Sequence, residues 1–232
     1  MSAKAPSIFL ATPCYGGLAH VLYMRSLVAL RPACAARRIG LHLELGGGEA
    51  LIGRARAAMM ARFLTSPASH LLFVDGDVGF EPDAVFRLLD AGREVVGRVY
   101  PAKTQPDPEA RALEFEPLSP PDRPGPDGLC RVASVGAGFL MISRGAAQRM
   151  VDAHPQLHAR LGDVQDVAAA SAAMVFDSFV DLASGRYLAD HQAFCHRWRA
   201  LGGEVWADLQ PGLSHVGAIV HDGGGASLPA GA

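Results

Sequence analysis

A short, almost wholly apolar run, His70–Val74, passes without a break into Asp75-Gly76-Asp77-Val78-Gly79-Phe80. A strand that is hydrophobic on successive residues has to be covered on both faces, which is the condition of a central strand in an α/β sheet. Around it, short apolar runs alternate with helical patterns. Residues 7–12, 39–45 and 94–99 read as strands, and residues 19–30, 51–64 and 82–89 as helices, the last opened by Pro82. Repeated strand, helix, strand units predict a mostly parallel sheet flanked by helices, with right-handed crossovers. The 26 glycines and 16 prolines argue against an all-helical bundle.

The second half changes character. Eight prolines fall within residues 101–128, which blocks regular structure there apart from a short strand at 112–116. A segment this long is expected to be a lid or an insertion. Residues 129–135 and 139–142 read as strands around Gly136-Ala137-Gly138, and 144–153 as a helix. Residues 156–173 are weakly patterned, 191–201 form an apolar-striped helix, and 204–207 a strand. With 232 residues, half of them hydrophobic, the expectation is one domain over residues 1–222 carrying the 101–128 insertion, then a flexible tail at 223–232.

Charge and cysteine usage narrow the function classes. The net charge is −2, from 21 basic and 23 acidic side chains, and there is no Lys/Arg-rich block to neutralise a phosphate backbone. Nucleic acid is therefore not an expected partner. Cys14, Cys34, Cys130 and Cys195 make no CxxC pair and no dense framework, which suits a reduced, cytoplasmic chain. The apolar run near the N-terminus ends at Pro13 rather than at a small-residue cleavage site, and no stretch is apolar enough to span a bilayer. Peripheral contact with a membrane stays open.

Asp75 and Asp77 are separated by one glycine. In extended chain, residues two apart point the same way, so both carboxylates can face one space beyond the carboxyl end of the strand, where ligands of open α/β sheets gather. Two adjacent carboxylates repel each other and favour a cation. A hard divalent ion, Mn²⁺ or Mg²⁺, takes carboxylate oxygen and bridges to phosphate. Gly76 would let a diphosphate approach the backbone. The competing reading is a plain Asp-Gly turn. Gly16-Gly17 and Gly46-Gly47-Gly48 match neither the dinucleotide nor the P-loop pattern.

Taken in order, several segments resemble the GT-A class of nucleotide-sugar glycosyltransferases, in particular proteins similar to family 2. Ala11-Thr12-Pro13-Cys14-Tyr15 looks like the first-strand loop that lines the nucleotide pocket. Gly53-Arg54-Ala55-Arg56 sits where such proteins carry an Arg-rich helix, and Phe73–Phe80 matches the DxD segment. Val95–Pro101 follows, then Gly136–Ile142, which resembles the strand on the acceptor side. Asp190-His191-Gln192 and Leu213-Ser214-His215-Val216-Gly217 look like the late acidic motif and the His-x-Gly motif. The likeness covers most of the chain.

The resemblance implies a GT-A, Rossmann-like fold and transfer of a sugar from a nucleotide diphosphate sugar to a glycan, lipid-linked or small-molecule acceptor, with inversion by direct displacement. Thr12, Pro13, Tyr15, Arg54, Asp75, Gly76 and Asp77 would bind the donor. Asp77 is the first metal ligand, Asp75 a ribose contact or a ligand through water, and His215 a third ligand favouring Mn²⁺, unless His215 is a strand-end histidine bonded to backbone. Asp190 is a general base for the acceptor hydroxyl, a helix N-cap, or a substrate contact. Arg54 and Arg56 lie two apart on a helix and cannot share a direction, so one of them, Arg54, is expected at the nucleotide. Two departures stand out. Ala189 replaces the Glu that usually precedes this Asp, and Arg98 replaces a residue that is often small, either to clamp phosphate or to face solvent. A nucleotidyltransferase is the rival enzyme, though residues 14–20 hold no Lys or Arg for its loop. A noncatalytic sugar-nucleotide or glycan-binding module is the third reading.

Overall fold

The computed structural model describes residues 5–103, 113–161 and 171–217. The first half alternates as its pattern predicts: β1 (Ser7–Cys14), α1 (Val21–Ala36), β2 (Gly40–Gly47), α2 (Ile52–Thr65), β3 (His70–Val74), β4 (Val78–Gly79), α3 (Pro82–Asp90) and β5 (Val95–Arg98). Then come β6 (Phe115–Pro117), β7 (Leu129–Val135), β8 (Phe139–Ser143), α4 (Arg144–Asp152), a 3₁₀ turn (Pro155–Leu157), β9 (His158–Arg160) and β10 (Ser171–Ala173). The chain closes with β11 (Phe179–Asp181), β12 (Arg186–Leu188), α5 (Asp190–Ala200), β13 (Val205–Asp208) and β14 (Ser214–His215).

Eight strands form one sheet in the order β2-β1-β3-β8-β5-β13-β7-β6. Six run one way. Only β7 and β8 run against them, each antiparallel to both of its neighbours. The class is α/β, mostly parallel in direction, as the alternation implies. The Pro-rich segment is not wholly irregular, because β6 extends the sheet edge beside β7.

The period-two geometry of β3 explains its unbroken hydrophobicity. Leu71 and Phe73 face a core made with Met59, Met60 and Phe63 of α2, Ala146 and Met150 of α4, and Phe194 and Trp198 of α5. Leu72 and Val74 face the opposite core, with Tyr23, Leu27 and Leu30 of α1 and Val85 and Leu88 of α3. Trp198 is a core residue, as its helical spacing suggests. Arg144 closes the far end of α2 by donating to the carbonyls of Phe63, Leu64, Ser66 and Ala68. At Gly97 in β5 an added Cβ would lie 2.8 Å from Val135 and 3.1 Å from the Phe139 carbonyl, so the sheet closes there only around glycine. No helix among the described residues is long and apolar enough to cross a membrane.

Candidate active site

Beyond Val74 the chain turns. The Val78 N–H donates to the Asp75 carbonyl at 3.0 Å, and the Asp75 N–H donates to the Gly138 carbonyl, also at 3.0 Å. Asp75-Gly76-Asp77 is therefore a tight turn pinned to the sheet, and it also borders a cleft of about 600 Å³ with Pro13, Tyr15, Leu18, His20 and Ile52. The segment is a turn, as one of its two readings has it, and that turn stands at the cleft. Across the turn, β14 pairs antiparallel with β4, setting His215 opposite Val78. The Val216 N–H donates to the Asp77 carbonyl at 3.0 Å, so the late His-x-Gly segment is anchored directly beside the acidic turn.

The two carboxylates have different partners. Asp77 receives the ammonium of Lys103 on one oxygen, and its other oxygen lies 3.5 Å from Nε2 of His215. Burial would raise its pKa, but hydrogen bonds from His215 and Lys103 prevail and hold it down to about 2. Nδ1 of His215 lies 2.6 Å from the Pro101 carbonyl, so Nδ1 carries a proton, and Nε2 faces Asp77. Burial alone would lower the His215 pKa; the bonds to Asp77 and Pro101 raise it.

Asp75 turns inward. Its Oδ1 accepts from Nη2 of Arg56 at 2.9 Å. Nε of the same guanidinium donates to Asp190 Oδ2 at 2.9 Å, and Nη1 to the Ala137 carbonyl at 3.1 Å. Arg56 is 3% exposed. It spends its fork on two carboxylates and a carbonyl that come from three separate parts of the chain. Gly138 permits the close approach: an added Cβ would stand 2.9 Å from Asp75 Oδ2 and 2.6 Å from the Tyr100 hydroxyl. That hydroxyl accepts from the Gly138 N–H at 3.0 Å, and burial raises its pKa strongly.

Asp190 is the first residue of α5, and Ala189, in extended conformation, holds the cap position. Asp190 is therefore not the N-cap. Gln192 instead reaches back to accept from the Ala189 N–H at 3.0 Å. Burial would raise the Asp190 pKa, but the hydrogen bond from His191 and the charge of Arg56 hold it down to about 2.

Several expected site residues are placed elsewhere. Thr12 is fully buried, and its hydroxyl shares a 2.6 Å hydrogen bond with Tyr23, so its side chain serves the core beneath the cleft. Arg54 pairs with Glu49 at 3.1 Å on a separate cavity that it lines with Gly46-Gly47-Gly48 and Arg62. Of the two helix arginines it is Arg56, not Arg54, that reaches the acidic turn. Arg98 neither clamps phosphate in this cleft nor faces solvent. It is buried, donating to the carbonyls of Gln210 and Pro211, with Asp208 at 3.6 Å. Pro13, Tyr15, Asp75, Gly76 and Asp77 do share the cleft. His221, which beside Asp222 in the sequence reads as tail rather than as a metal contact, lies outside the described residues.

Sequence reasoning set Arg54 at the nucleotide, read Arg56 as a surface or ion-pair residue, and passed over Lys103. Arg56 had a signal: it precedes Met60 by four and Phe63 by seven, so it sits on the buried stripe of α2, where a cation requires an anion. Lys103 had none, because only the tertiary fold brings it to Asp77.

No protein-family model matches the chain, and no curated protein does. Solved structures with similar outlines include A197 from STIV, 15% identical over 87% of this chain and 81% of that one, with a TM-score of 0.49. Residues 1–349 of S. aureus TarS are 8% identical, with a TM-score of 0.44; the match covers 90% of this chain but 60% of that fragment. A glycosyltransferase involved in the glycosylation of the major capsid of PBCV-1 is 10% identical over 64% of this chain and 67% of its own, with a TM-score of 0.32. At TM-scores under 0.5 these likenesses settle neither fold nor chemistry, which the cleft's own residues have to carry.

Proposed function

We propose that the chain is a GT-A-like glycosyltransferase that moves a sugar from a nucleotide diphosphate sugar to a glycan, lipid-linked or small-molecule acceptor, with help from a divalent ion. One observation carries this reading: the Asp75-Gly76-Asp77 turn borders a nucleotide-sized cleft at the carboxyl end of the central strand, with His215 at Asp77 and Asp190 joined to Asp75 through Arg56.

Among the described residues no group of three or more His, Cys, Asp or Glu stands ready to hold an ion. Asp77 and His215 would supply two donors, with phosphate oxygens completing the sphere. The donor set fits, because the Pro101 carbonyl fixes the imidazole tautomer that presents Nε2. The ammonium of Lys103 already places positive charge against Asp77. Carboxylate with imidazole suits Mn²⁺ better than Mg²⁺. An ion held there supplies charge neutralisation for the departing diphosphate.

The residues divide the remaining work. Pro13 and Tyr15 wall the cleft, and the exposed Tyr15 ring offers a face to a base. Asp75, fixed by Arg56, is placed to accept from a ribose hydroxyl. Asp190 receives the proton of the acceptor hydroxyl. A carboxylate with a pKa near 2 is a weak base, so it takes that proton late, when the forming bond has made the hydroxyl acidic. Direct displacement then gives inversion. The same low pKa favours a second reading, a module that binds sugar nucleotides without turning them over.

A thermal-shift screen of nucleoside diphosphates and their sugars, with and without Mn²⁺, tests the assignment. Metal-dependent stabilisation is expected in the parent and is lost in Asp77→Ala; equal stabilisation in the variant removes Asp77 as a ligand. Release of nucleoside diphosphate from a stabilising donor separates enzyme from binding module, and product analysis separates sugar transfer from nucleotidyl transfer.

A further inference from the structure

The outer face of α1 does not look like a helix that meets water. Its exposed residues are Val21, Met24, Val28, Pro32, three alanines, and two charged side chains, Arg25 and Arg31. Val21 is 62% exposed, Val28 73% and Met24 44%. No acidic and no uncharged polar side chain appears among them. A surface helix ordinarily turns such residues outward and keeps its apolar stripe for the core. Here α1 already buries Tyr23, Leu27, Leu30 and Cys34 in the core, so the outer stripe is a second apolar face.

Neither Arg25 nor Arg31 has an ion-pair partner among the described residues. Beside the helix runs a groove of about 650 Å³, floored by Phe80 and flanked by Met24, Arg25 and Val28. One carboxylate, Glu81, stands across it. Just before α1 in the chain, Leu18, 82% exposed, and Tyr15, 69% exposed, rim the Asp75–Asp77 cleft.

From this face we infer that α1 docks the protein on an anionic lipid surface. Exposed aliphatic side chains flanked by guanidinium groups are what an interfacial helix presents to acyl chains and anionic headgroups. A second copy of the chain is disfavoured, because a two-fold contact through this face would press arginines against arginines. A protein partner ordinarily asks for directional hydrogen bonds, and the exposed face of α1 offers no donor or acceptor except the two arginines. Docking would set the cleft mouth beside the headgroups. The inference goes beyond the sugar-transfer reading, and its test uses no nucleotide, so the two fail separately.

The experiment is co-sedimentation of the full chain with vesicles of phosphatidylcholine alone or mixed with phosphatidylglycerol, at low and high salt. The protein is expected to pellet with the mixed vesicles, to stay in solution with phosphatidylcholine alone, and to be released by salt. The pair Arg25→Gln and Arg31→Gln should lower the partition coefficient about 25-fold, about 5-fold for each arginine. Val28→Asp, on an exposed position, should lower it by about tenfold or more while leaving the melting temperature unchanged. The idea is overturned if the protein stays in the supernatant with both vesicle types. It is also overturned if Val28→Asp binds as the parent does, or if sedimentation velocity shows a dimer that Val28→Asp dissolves.

Discussion

Replacing Arg56 with Met tests the centre of the site most severely. The guanidinium is buried and holds Asp75 and Asp190 at 2.9 Å each. Methionine keeps much of the volume but removes the guanidinium that pairs with Asp190 among the described residues. Two carboxylates are then left partly desolvated and mutually repulsive. Removing one partner of a buried ion pair costs about 3–5 kcal/mol, and in a chain of this size each kcal/mol lowers the melting temperature by about 2–4 °C. The expected loss is therefore about 6–20 °C. Urea denaturation at neutral pH measures it. Most of the penalty comes from stranded charge, so adding Asp190→Asn to Arg56→Met should recover part of it, and acid that protonates both carboxylates should narrow the gap to the parent. A loss under about 1 kcal/mol, the scale of an exposed pair, would refute the reasoning. So would a double variant in which the two losses simply add.

Other predictions concern the cleft and its charges. Gly76→Ala should leave stability unchanged, because an added Cβ meets nothing closer than 3.5 Å, yet should weaken nucleoside diphosphate binding by crowding the turn; titration calorimetry reads both Kd and enthalpy. Lys103→Ala should tighten Mn²⁺ binding by removing the ammonium that competes for Asp77, and weaker binding in calorimetry would contradict that rivalry. The Asp190 pKa, held at about 2, lies below its unfolded value. The stability it supplies is full above about pH 4, fades as pH falls through 2, and amounts to about 2 kcal/mol. A parent and Asp190→Asn whose urea midpoints fall equally over that acid range would show that this carboxylate contributes nothing.

Much of the fold is written locally. β3 is His70–Val74 in both pattern and structure, because a strand covered on both faces leaves an unbroken apolar signature. Pro82 opens α3 because its fixed φ suits the first turn and it has no N–H to leave unpaired. The reversed direction of β7 and β8 is not written there. The short Gly136-Ala137-Gly138 link does not say that the two strands it joins keep one direction and separate, β8 inserting between β3 and β5 while β7 goes to β13. The two-residue strands β4 and β14 are legible only in each other's presence. At the site, the order of motifs locates the acidic turn, Asp190 and His215. The choice between Arg54 and Arg56 depends on which side of α2 meets the core. That could be read from Met60 and Phe63, four and seven residues after Arg56, whereas a count of arginines could not reveal it.

Spacing alone suggests that Asp75 and Asp77 act as one chelating pair. The structure divides them. Asp75 faces a buried cation supplied by the protein, and Asp77 faces the more exposed Lys103 and His215. A carboxylate already neutralised by a fixed guanidinium has little charge left to offer a metal, whereas one paired with a flexible lysine can exchange that partner. Under the proposed use of a divalent ion, the cation would be held at Asp77 rather than by the motif as a unit, and Asp75 ties the turn to Asp190. A change at Asp75 should disturb Asp190 and the fold together, while a change at Asp77 should disturb the proposed cation binding alone. That asymmetry distinguishes this arrangement from a symmetric two-carboxylate clamp, in which either substitution would have the same effect.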